Sequence, residues 1–340
     1  MPHLVAAPDK FRGTASAPAV AAAVAGAARR AGWTADEIPM SDGGEGLLEA
    51  VGGEARRTTV PGPLGAATDA EWRFLPAAAG GTPAAVIEMA RASGRALLPH
   101  PHGDDPVVAD TAGVGQLLLA ARDGGARQII VGCGGSATTD GGWGAVQAVG
   151  SPGALAGLEL EVACDVTTPF RQAAALFGPQ KGASPEQVAL LTDRLGSLVD
   201  RYRREFGIDV DALPGAGAAG GLAGGLAALG ARIVPGFDLV AALNGLARHI
   251  AAADLVVTGE GHLDPPSFEG KVPGGVLALA GGNCPVLCIV GAADEALLHT
   301  PPPGLQIVSL TARYGMTRAR EETTALIAEV TAEALERFCL

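Results

Sequence analysis

The sequence predicts an α/β protein built from two unlike domains. Short apolar segments alternate with longer segments of helical periodicity, a pattern typical of α/β folds. The chain of 340 residues is long for a single hydrophobic core, so two domains are expected. The alternating pattern stops near residue 54 and returns near residue 238. One domain is therefore predicted to be inserted into the other.

The outer domain is predicted from both ends of the chain. A strand over 4–7 comes first, and Thr14 or Ser16 is expected to cap the following helix, because a hydroxyl there accepts a hydrogen bond from the first helical turn. A second strand is predicted over 37–40, before a glycine-rich turn over 42–46 and a short helix. The later elements are helices over 239–252, 272–280 and 321–338 and strands over 255–258, 286–290 and 307–310.

Residues 54–237 have a different texture. Proline and glycine interrupt short alternating runs, which favours an antiparallel segment at the start of this region. The predicted strands are 58–60, 71–75, 85–89, 128–131, 158–164 and 231–234, and the predicted helices are 111–123, 185–206 and 218–229. We therefore predict a doubly wound, Rossmann- or flavodoxin-like parallel-sheet domain over 1–53 and 238–340. A mixed-sheet α/β domain over 54–237 is predicted to be inserted into it.

Composition limits the class of function. The net charge is −12, and 48% of the residues are hydrophobic, so the chain is a globular and acidic protein. An acidic surface is a poor partner for nucleic acid. No apolar run approaches the roughly 18 residues that a membrane span needs. With no signal peptide recognised, we expect a cytoplasmic protein that acts on a small molecule, and a homodimer is the one protein partner left open.

Cysteine and histidine are scattered along the chain. The five cysteines form no CxxC pair, so they are expected to be reduced core residues; they are Cys133, Cys164, Cys284, Cys288 and Cys339. The histidines are equally dispersed, and His100 and His102 flank a proline, so no zinc site is expected. His262 lies in a candidate site loop, where it either contacts a ligand or is an ordinary surface residue.

Charged residues and glycines recur where predicted strands end. Ligands of open parallel sheets bind beyond the carboxyl ends of the strands. Glycine accompanied by Asp, Glu or Lys follows four predicted strands, in the segments 8–13, 41–46, 132–142 and 258–271, and Asp165 follows a fifth. Glycine-rich loops let N–H groups approach phosphate, carboxylates hold Mg²⁺ or act as a base, and lysines neutralise developing charge. The combination indicates phosphoryl transfer without a Walker A motif, because Val272 follows Gly270-Lys271.

A literal GxGxxG motif occurs over 215–220, with Asp238 downstream. Three interpretations stay open. The motif could form a dinucleotide site, a phosphate-binding helix N-terminus, or a glycine–alanine helix that packs closely on a neighbouring element. No convincing strand precedes the motif, which counts against the dinucleotide site. Ser136, in Gly134-Gly135-Ser136-Ala137, does not form the GxSxG elbow of a serine hydrolase.

Seven segments together resemble the bacterial glycerate kinase family, of the kind that makes 2-phosphoglycerate. In chain order they are APDKFRGT (7–14), SDGGEG (41–46), GGSATTDGG (134–142), ACDV (163–166), FGPQKGA (177–183), PGAGAAGGL (214–222), and TGEG (258–261) continuing to GKVP (270–273). Their order is the family's order. The resemblance implies ATP- and Mg²⁺-dependent phosphorylation of glycerate. It also implies two unlike α/β domains with the active site in the cleft between them.

The resemblance also nominates site residues. Candidate catalytic residues are Asp42, Asp165, Asp140 and Lys271, and candidate Mg²⁺ ligands are Asp42, Asp165 and Asp264. Candidate substrate- or phosphate-binding residues are Lys10, Arg12, Gly43, Gly44, Gly134, Gly135, Ser136, Lys181, Gly217, Gly220 and Glu260. The ordinary alternatives are that the carboxylates cap helices or turns, that the cations are surface residues, and that the glycines only form turns.

Four positions depart from the family's usual pattern. Leu47 stands where Thr is usual, Thr139 and Thr168 stand where Asn is usual, and Pro266 stands where Gln is usual. A site that hydrogen-bonds a polar substrate group discriminates strongly on that bond. A kinase for a related sugar acid is therefore one alternative function. A ligand-binding regulator with weakened catalysis is another, and a Rossmann oxidoreductase is a third.

Overall fold

A computed structural model describes residues 1–77, 81–99 and 106–338. His100, His102 and Cys339 lie outside the described residues. The strands within them are, in chain order, β1 (His3–Ala6), β2 (Thr34–Glu37), β3 (Glu54–Pro61), β4 (Ala67–Leu75), β5 (Ala84–Glu88), β6 (Gln128–Gly132), β7 (Glu159–Ala163), β8 (Arg232–Val234), β9 (Leu255–Leu263), β10 (Val286–Ala293) and β11 (Leu305–Ser309).

The helices alternate with these strands along much of the chain. In chain order they are α1 (Ala17–Arg30), α2 (Leu47–Val51), α3 (Ala90–Ser93), α4 (Ala112–Asp123), α5 (Trp143–Val149), α6 (Ala173–Phe177), α7 (Pro185–Phe206), α8 (Ala218–Ala228), α9 (Gly236–Leu243), α10 (Leu246–Ile250), α11 (Val272–Ala280), α12 (Glu295–His299), α13 (Leu310–Tyr314), α14 (Met316–Glu321) and α15 (Thr323–Phe338). Among the described helices, none is long and apolar enough to cross a membrane.

The first of two compact units contains Met1–Asp42, Glu49–Val51 and the chain from Gly236 onward. Its sheet has the strand order β2-β1-β9-β10-β11, and all four strand pairings are parallel. The chain therefore leaves β1 toward one edge and returns at β9 to build toward the other edge. This is the 2-1-3-4-5 order of flavodoxin-like sheets, which confirms the predicted doubly wound domain. The order switches between β1 and β9.

The second unit contains Gly43–Leu48 and Gly52–Pro235. Its strand order is β3-β4-β5-β6-β7-β8. The β3–β4 and β4–β5 pairs are antiparallel, whereas the remaining three pairs are parallel. The predicted mixed sheet is therefore confirmed, with its antiparallel part at the start of the unit.

Local sequence explains where the main helices begin. The Ser16 hydroxyl accepts a hydrogen bond from the Ala19 N–H (3.4 Å), so Ser16 rather than Thr14 caps α1. Ser184 and Gln187 form a capping box at α7. This helix buries Tyr202, whose hydroxyl donates to the Gly141 carbonyl oxygen (2.9 Å).

Two predicted elements of the first unit are wrong. The second strand is Thr34–Glu37 rather than 37–40, because these four residues pair in register with His3–Ala6 of β1. Beyond it, the Ile38 and Met40 N–H groups still donate to the Ala6 and Pro8 carbonyl oxygens (2.8 and 2.9 Å). The single helix predicted over 239–252 is two helices, α9 and α10. Gly245 separates them in a left-handed conformation (φ 64°), where the Asn244 side chain donates to the Pro39 and Ala50 carbonyl oxygens.

The helix predicted over 218–229 is present as α8, but it is not continuous. Ala219, Gly220 and Gly221 have φ of 52°, 70° and 91°, so a left-handed turn interrupts its first half. Ala219 is the only non-glycine residue with positive φ among the described residues. The GxGxxG motif therefore includes a strained bend rather than a regular helix start.

Two of the four described cysteines are buried core residues, as predicted. Cys284 and Cys288 are buried in the first unit, which confirms them as core residues. Cys133 and Cys164 are only partly buried, immediately beyond β6 and β7. All four described cysteines are free thiols.

Candidate active site

A cavity of about 350 Å³ opens in the first unit, beyond the carboxyl end of β1 and beside the last residues of β9. This is the topological switch point, where ligands of doubly wound sheets bind. Its lining carries three carboxylates and three cationic side chains. The lining residues are Asp9, Lys10, Arg12, Asp42, Glu260, Gly261, His262 and Lys271.

The sheet register brings the first two carboxylates of the cavity together. The Asp9 N–H donates to the Gly259 carbonyl oxygen (2.8 Å), so Asp9 lies beside the residue preceding Glu260. Strand β9 continues to Leu263, past the predicted end at residue 258, and pairs Glu260 with Val290. Glu260 is therefore held by regular strand backbone. The sequence analysis predicts a loop here, because a glycine stands on each side of Glu260.

Lys10 connects two carboxylates at the cavity wall. Its ammonium lies 3.5 Å from Asp9 Oδ1 and 3.8 Å from Asp42 Oδ1. Burial, together with the Asp42 charge, raises the pKa of Asp9 to about 6, although Lys10 partly offsets the shift. For Lys10, burial is outweighed by the attraction of both carboxylates, and its pKa lies above the ordinary value.

Glu260 is the most isolated carboxylate of the cavity. It is 8% exposed, and its Oε1 atom is buried without a hydrogen-bond partner in the described part of the chain. Burial raises the pKa of Glu260 to about 7, even though Ser267 and Lys271 lie close enough to lower it. The carboxyl group is therefore available to a ligand in the cavity, and it changes protonation state near neutral pH.

Asp264 acts as a helix cap in this structure. Its Oδ1 accepts hydrogen bonds from the Ser267 N–H (3.0 Å) and hydroxyl (2.8 Å) at the start of a 3₁₀ helix, Pro265–Phe268. Lys271 lies 3.9 Å away. Burial opposes these contacts, but they hold the pKa of Asp264 below its ordinary value. Capping therefore occupies one oxygen of a carboxylate that was predicted to bind Mg²⁺.

In the second unit, the glycine-rich segments pack against each other. A Cβ at Gly134 would lie 2.7 Å from the Gly44 Cα, and one at Gly132 would lie 2.5 Å from the Gly43 carbonyl oxygen. Such distances exclude any side chain, so close backbone approach requires these glycines. The Leu48 N–H donates to Glu88 Oε1 (3.2 Å), which fixes the start of α2 in the same place.

Asp140 is a structural carboxylate of the second unit. It is 6% exposed and accepts from the Thr111 N–H (3.0 Å) and hydroxyl (2.7 Å), and from the N–H groups of Gly142 (3.1 Å) and Gly144 (3.0 Å). Burial raises the pKa of Asp140, and these hydrogen bonds oppose the rise. With four internal donors on its two oxygens, Asp140 matches the turn-capping alternative stated for it above.

The glycines of the GxGxxG motif also serve packing. The Gly217 N–H donates to the Thr168 carbonyl oxygen (3.0 Å), and a Cβ at Gly220 would lie 2.0 Å from the Thr138 carbonyl oxygen. The close-packing interpretation of this motif therefore accounts for both glycines. The Gly217 N–H that was predicted to bind phosphate is already donated within the chain.

The remaining candidates of the second unit surround the ends of β6 and β7. Gly135 and Asp165 are exposed, and Ser136 is partly buried and forms an isolated bridge with Gly94. The Lys181 ammonium donates to the Thr138 carbonyl oxygen (2.5 Å). Burial lowers the pKa of Lys181 to about 7, against the opposing attraction of Asp140.

Sequence reasoning nominated most of the cavity but omitted Asp9. The residue stands in the segment after the first strand and was passed over in favour of its neighbour Lys10. The available signal was its position: it follows the apolar strand by two residues, at a strand next to the switch point. His262 does line the cavity, with its Nε2 3.2 Å from Asp294 Oδ1.

The carboxylates fit a metal that arrives with a nucleotide. Among the described residues, no group of three or more His, Cys, Asp or Glu side chains is arranged to hold an ion. Mg²⁺ in phosphoryl-transfer sites is bound by one or two carboxylates together with substrate phosphates. Asp42, which is partly exposed at the cavity, satisfies that requirement without a preformed cage.

Comparison with known proteins agrees with the fold. The sequence profile of the glycerate kinase family matches residues 4–153 and 151–338. Glycerate 2-kinase of Escherichia coli (strain K12) is 38% identical over 337 residues, covering 87% of each chain. Glycerate kinase of Halalkalibacterium halodurans is 39% identical over 334 residues, with the same coverage. A solved structure described as a candidate glycerate kinase 2 from Salmonella typhimurium LT2 superimposes with a TM-score of 0.80 and 33% identity over 100% of both chains.

The fold, the cavity and these similarities define a kinase, an enzyme that transfers a phosphoryl group to an alcohol. Within that class, the chain belongs to the glycerate kinase family.

Proposed function

We propose that this protein transfers the γ-phosphoryl group of ATP to glycerate and forms 2-phosphoglycerate. The observation that carries the proposal is the cavity at the β1–β9 switch point, which three carboxylates and three cationic side chains line together. Phosphoryl transfer needs positive charge around the transferring group and a carboxylate near the metal or the nucleophile. The relatives named glycerate kinase and glycerate 2-kinase indicate which acceptor this cavity serves.

In this proposal the cations of the cavity bind anionic groups. Lys10, Arg12 and Lys271 line one small volume in a protein whose net charge is −12. Local positive charge there attracts the phosphates of ATP and the carboxylate of glycerate, and it stabilises charge that develops on the transferring oxygens. Lys10 is already oriented by Asp9 and Asp42, so its ammonium is held in place before the substrate arrives.

Mg²⁺ belongs to this proposal as the partner of ATP. Asp42 is the carboxylate that would hold it, because it is partly exposed at the cavity and Asp264 is occupied as a cap. When bound, the ion would neutralise phosphate charge. Asp165, exposed beyond β7 in the second unit, stays a proposed catalytic residue and Mg²⁺ ligand.

The second unit also supplies candidate determinants of the acceptor. Lys181 is a partly buried cation, and Thr139 is fully buried with a hydroxyl oxygen that has no partner among the described residues. Leu47 is buried and Pro266 is exposed, so neither supplies the side-chain hydrogen bonds of the residues usual in the family. A kinase for a related sugar acid is therefore the second candidate function.

The direct test measures ADP release by the full-length protein with MgATP and D-glycerate, with other small hydroxy acids in parallel. Turnover on glycerate, with 2-phosphoglycerate identified as the product, is the expected result. Turnover on another hydroxy acid alone would show that the protein is a kinase whose acceptor is not glycerate. Binding of MgATP by folded protein without ADP release from any acceptor would favour the regulator.

Three substitutions test the site assignment. Asp42→Asn, Asp165→Asn and Lys271→Met are each expected to lower turnover at least about tenfold, because each removes a charge to which this proposal assigns a role in the reaction. Thermal melting should show that the three variants stay folded. Asp123→Asn, which alters an exposed carboxylate at the end of α4, is the matched control and should leave turnover unchanged. Near-normal turnover in all three site variants would refute the assignment.

A further inference from the structure

We infer that Glu260 is the general base of the reaction and takes the proton from the glycerate hydroxyl that is phosphorylated. The inference rests on the proposed function and adds a residue role to it. Sequence reasoning placed Glu260 among the ligand-binding residues only. The structure indicates a catalytic role through the burial, the free oxygen and the backbone support of this side chain.

One side-chain oxygen of Glu260 is buried without a hydrogen-bond partner in the described part of the chain. Oε1 is buried and has no hydrogen-bond partner among the described residues, although the side chain lines the cavity. A buried acceptor without a donor costs about 1 to 3 kcal/mol, so it is retained where a ligand supplies the donor. An alcohol hydroxyl is such a donor. The carboxylate of glycerate is not, since it carries no proton at neutral pH.

Asp9 and Asp42, the other carboxylates that line the cavity, both form ion pairs with Lys10. Asp9 Oδ1 accepts from the Lys10 N–H (2.6 Å) and lies near the Lys10 ammonium. Asp42 also pairs with Lys10. Asp264 does not line the cavity, and it caps the helix that follows it. A carboxylate held by a cation is a weaker base than one without such a partner. Among the carboxylates that line this cavity, Glu260 is therefore the best candidate for a base.

The surroundings of Glu260 bring its pKa close to neutral pH. Burial is the main effect, and together with the negative charges of Asp9 and Asp264 it raises the pKa to about 7, whereas Lys271 and the Ser267 side chain lower it. On the neighbouring strand, the Cys288 thiol is buried and uncharged at this pH, because burial and the Glu260 charge raise its own pKa. A general base works best with a pKa near the operating pH.

The proposed step balances as follows. The glycerate oxygen forms a bond to the γ-phosphorus of ATP, and its proton moves to a Glu260 carboxylate oxygen. The bond between the γ-phosphorus and the bridging oxygen breaks, and its electron pair leaves with ADP. Protonated Glu260 then loses the proton to solvent through the open cavity. Lys10, Arg12 and Lys271 supply the positive charge around the transferring group.

The test compares wild type, Glu260→Gln and Glu260→Asp in a series of pH values from about 5.5 to 9, with ADP release as the readout. Wild-type kcat should fall on the acid side of about pH 7. Glu260→Gln should lower kcat at least about 100-fold, remove that acid limb and leave the KM for MgATP within about threefold. Glu260→Asp should keep the acid limb with a smaller loss, because it retains a carboxylate.

A stability measurement excludes a merely structural role. Because the folded-state pKa of Glu260 lies above its ordinary value of 4.5, folding free energy is lost as the pH rises toward and past about 7. Glu260→Gln cannot ionise, so above this pH it should melt higher than wild type. A structural carboxylate would give the opposite order.

The control is Glu269→Gln, the same substitution at an exposed position nine residues further along, which should leave kcat and its pH profile unchanged. If wild type phosphorylates an acceptor and Glu260→Gln keeps both its rate and the acid limb, the base assignment alone is wrong. If wild type phosphorylates no hydroxy acid, the proposed function fails and the base assignment fails with it. Turnover on another hydroxy acid transfers the same comparison to that acceptor.

Discussion

The two units carry the same sequence signature and use it differently. In each, glycine with Asp, Glu or Lys follows the parallel strands. In the first unit these side chains line a cavity, where one Glu260 oxygen has no hydrogen-bond partner among the residues that the structure describes. In the second unit, Asp140 accepts four internal hydrogen bonds, and the Gly217 N–H is donated to Thr168.

The difference shows that the position of a carboxylate after a strand does not by itself make it part of a functional site. What decides its role is whether the rest of the unit supplies donors to it. A carboxylate with several internal donors stabilises the fold, whereas one left with a free oxygen at a cavity costs stability and is available for chemistry. The comparison therefore predicts that substitutions in the two regions affect different quantities.

The largest expected effect is on the stability of the second unit. Asp140→Ala would leave the two donors of Thr111 and the N–H groups of Gly142 and Gly144 without an acceptor. We expect a loss of at least about 3 kcal/mol in the free energy of unfolding, measured by urea denaturation. Asp123→Ala, at an exposed carboxylate, should cost less than about 0.5 kcal/mol. Equal losses in the two variants would show that Asp140 is not a structural anchor.

The second prediction is that a substitution in the first unit lowers activity and leaves stability unchanged. Arg12→Met removes an exposed guanidinium that lines the cavity. We expect kcat/KM for MgATP-dependent phosphorylation to fall about 10- to 100-fold, while the free energy of unfolding changes by less than about 0.5 kcal/mol. Arg30→Met, at the exposed end of α1, is the matched control and should change neither quantity. A stability loss in Arg12→Met comparable to that of Asp140→Ala would remove the contrast between the units.

The last prediction concerns Lys181, and its effect depends on pH. Its folded-state pKa of about 7 lies below the ordinary 10.5, so between these values the unfolded chain binds a proton that the folded chain does not. Stability should therefore rise with pH across this window, by up to about 1.4 kcal/mol per pH unit. The difference in unfolding free energy between wild type and Lys181→Met, followed over the same window, should show this rise. A flat difference would mean that the ammonium is hydrated.

Much of the fold was readable from sequence because its signals are local. Helix α7 starts at Pro185 and ends at Phe206 as predicted, since its capping box, its periodicity and the following glycine all lie within the segment. The second strand was misplaced because its position depends on pairing with β1 rather than on its own apolar residues. The bend in α8 was missed because Gly220 and Gly221 adopt it against the 138–142 segment, far away in sequence.

The site followed the same division. The sequence by itself determined the fold class, the glycine-rich strand ends and the charged residues beside them, since these are written in neighbouring residues. Only the tertiary structure decided that Asp140 is an anchor, through donors from Thr111, and that Asp9 and Glu260 share a cavity, through the pairing of β1 with β9. A carboxylate's role depends on the donors and charges that surround it. Those groups come from distant parts of the chain, so local sequence does not contain them.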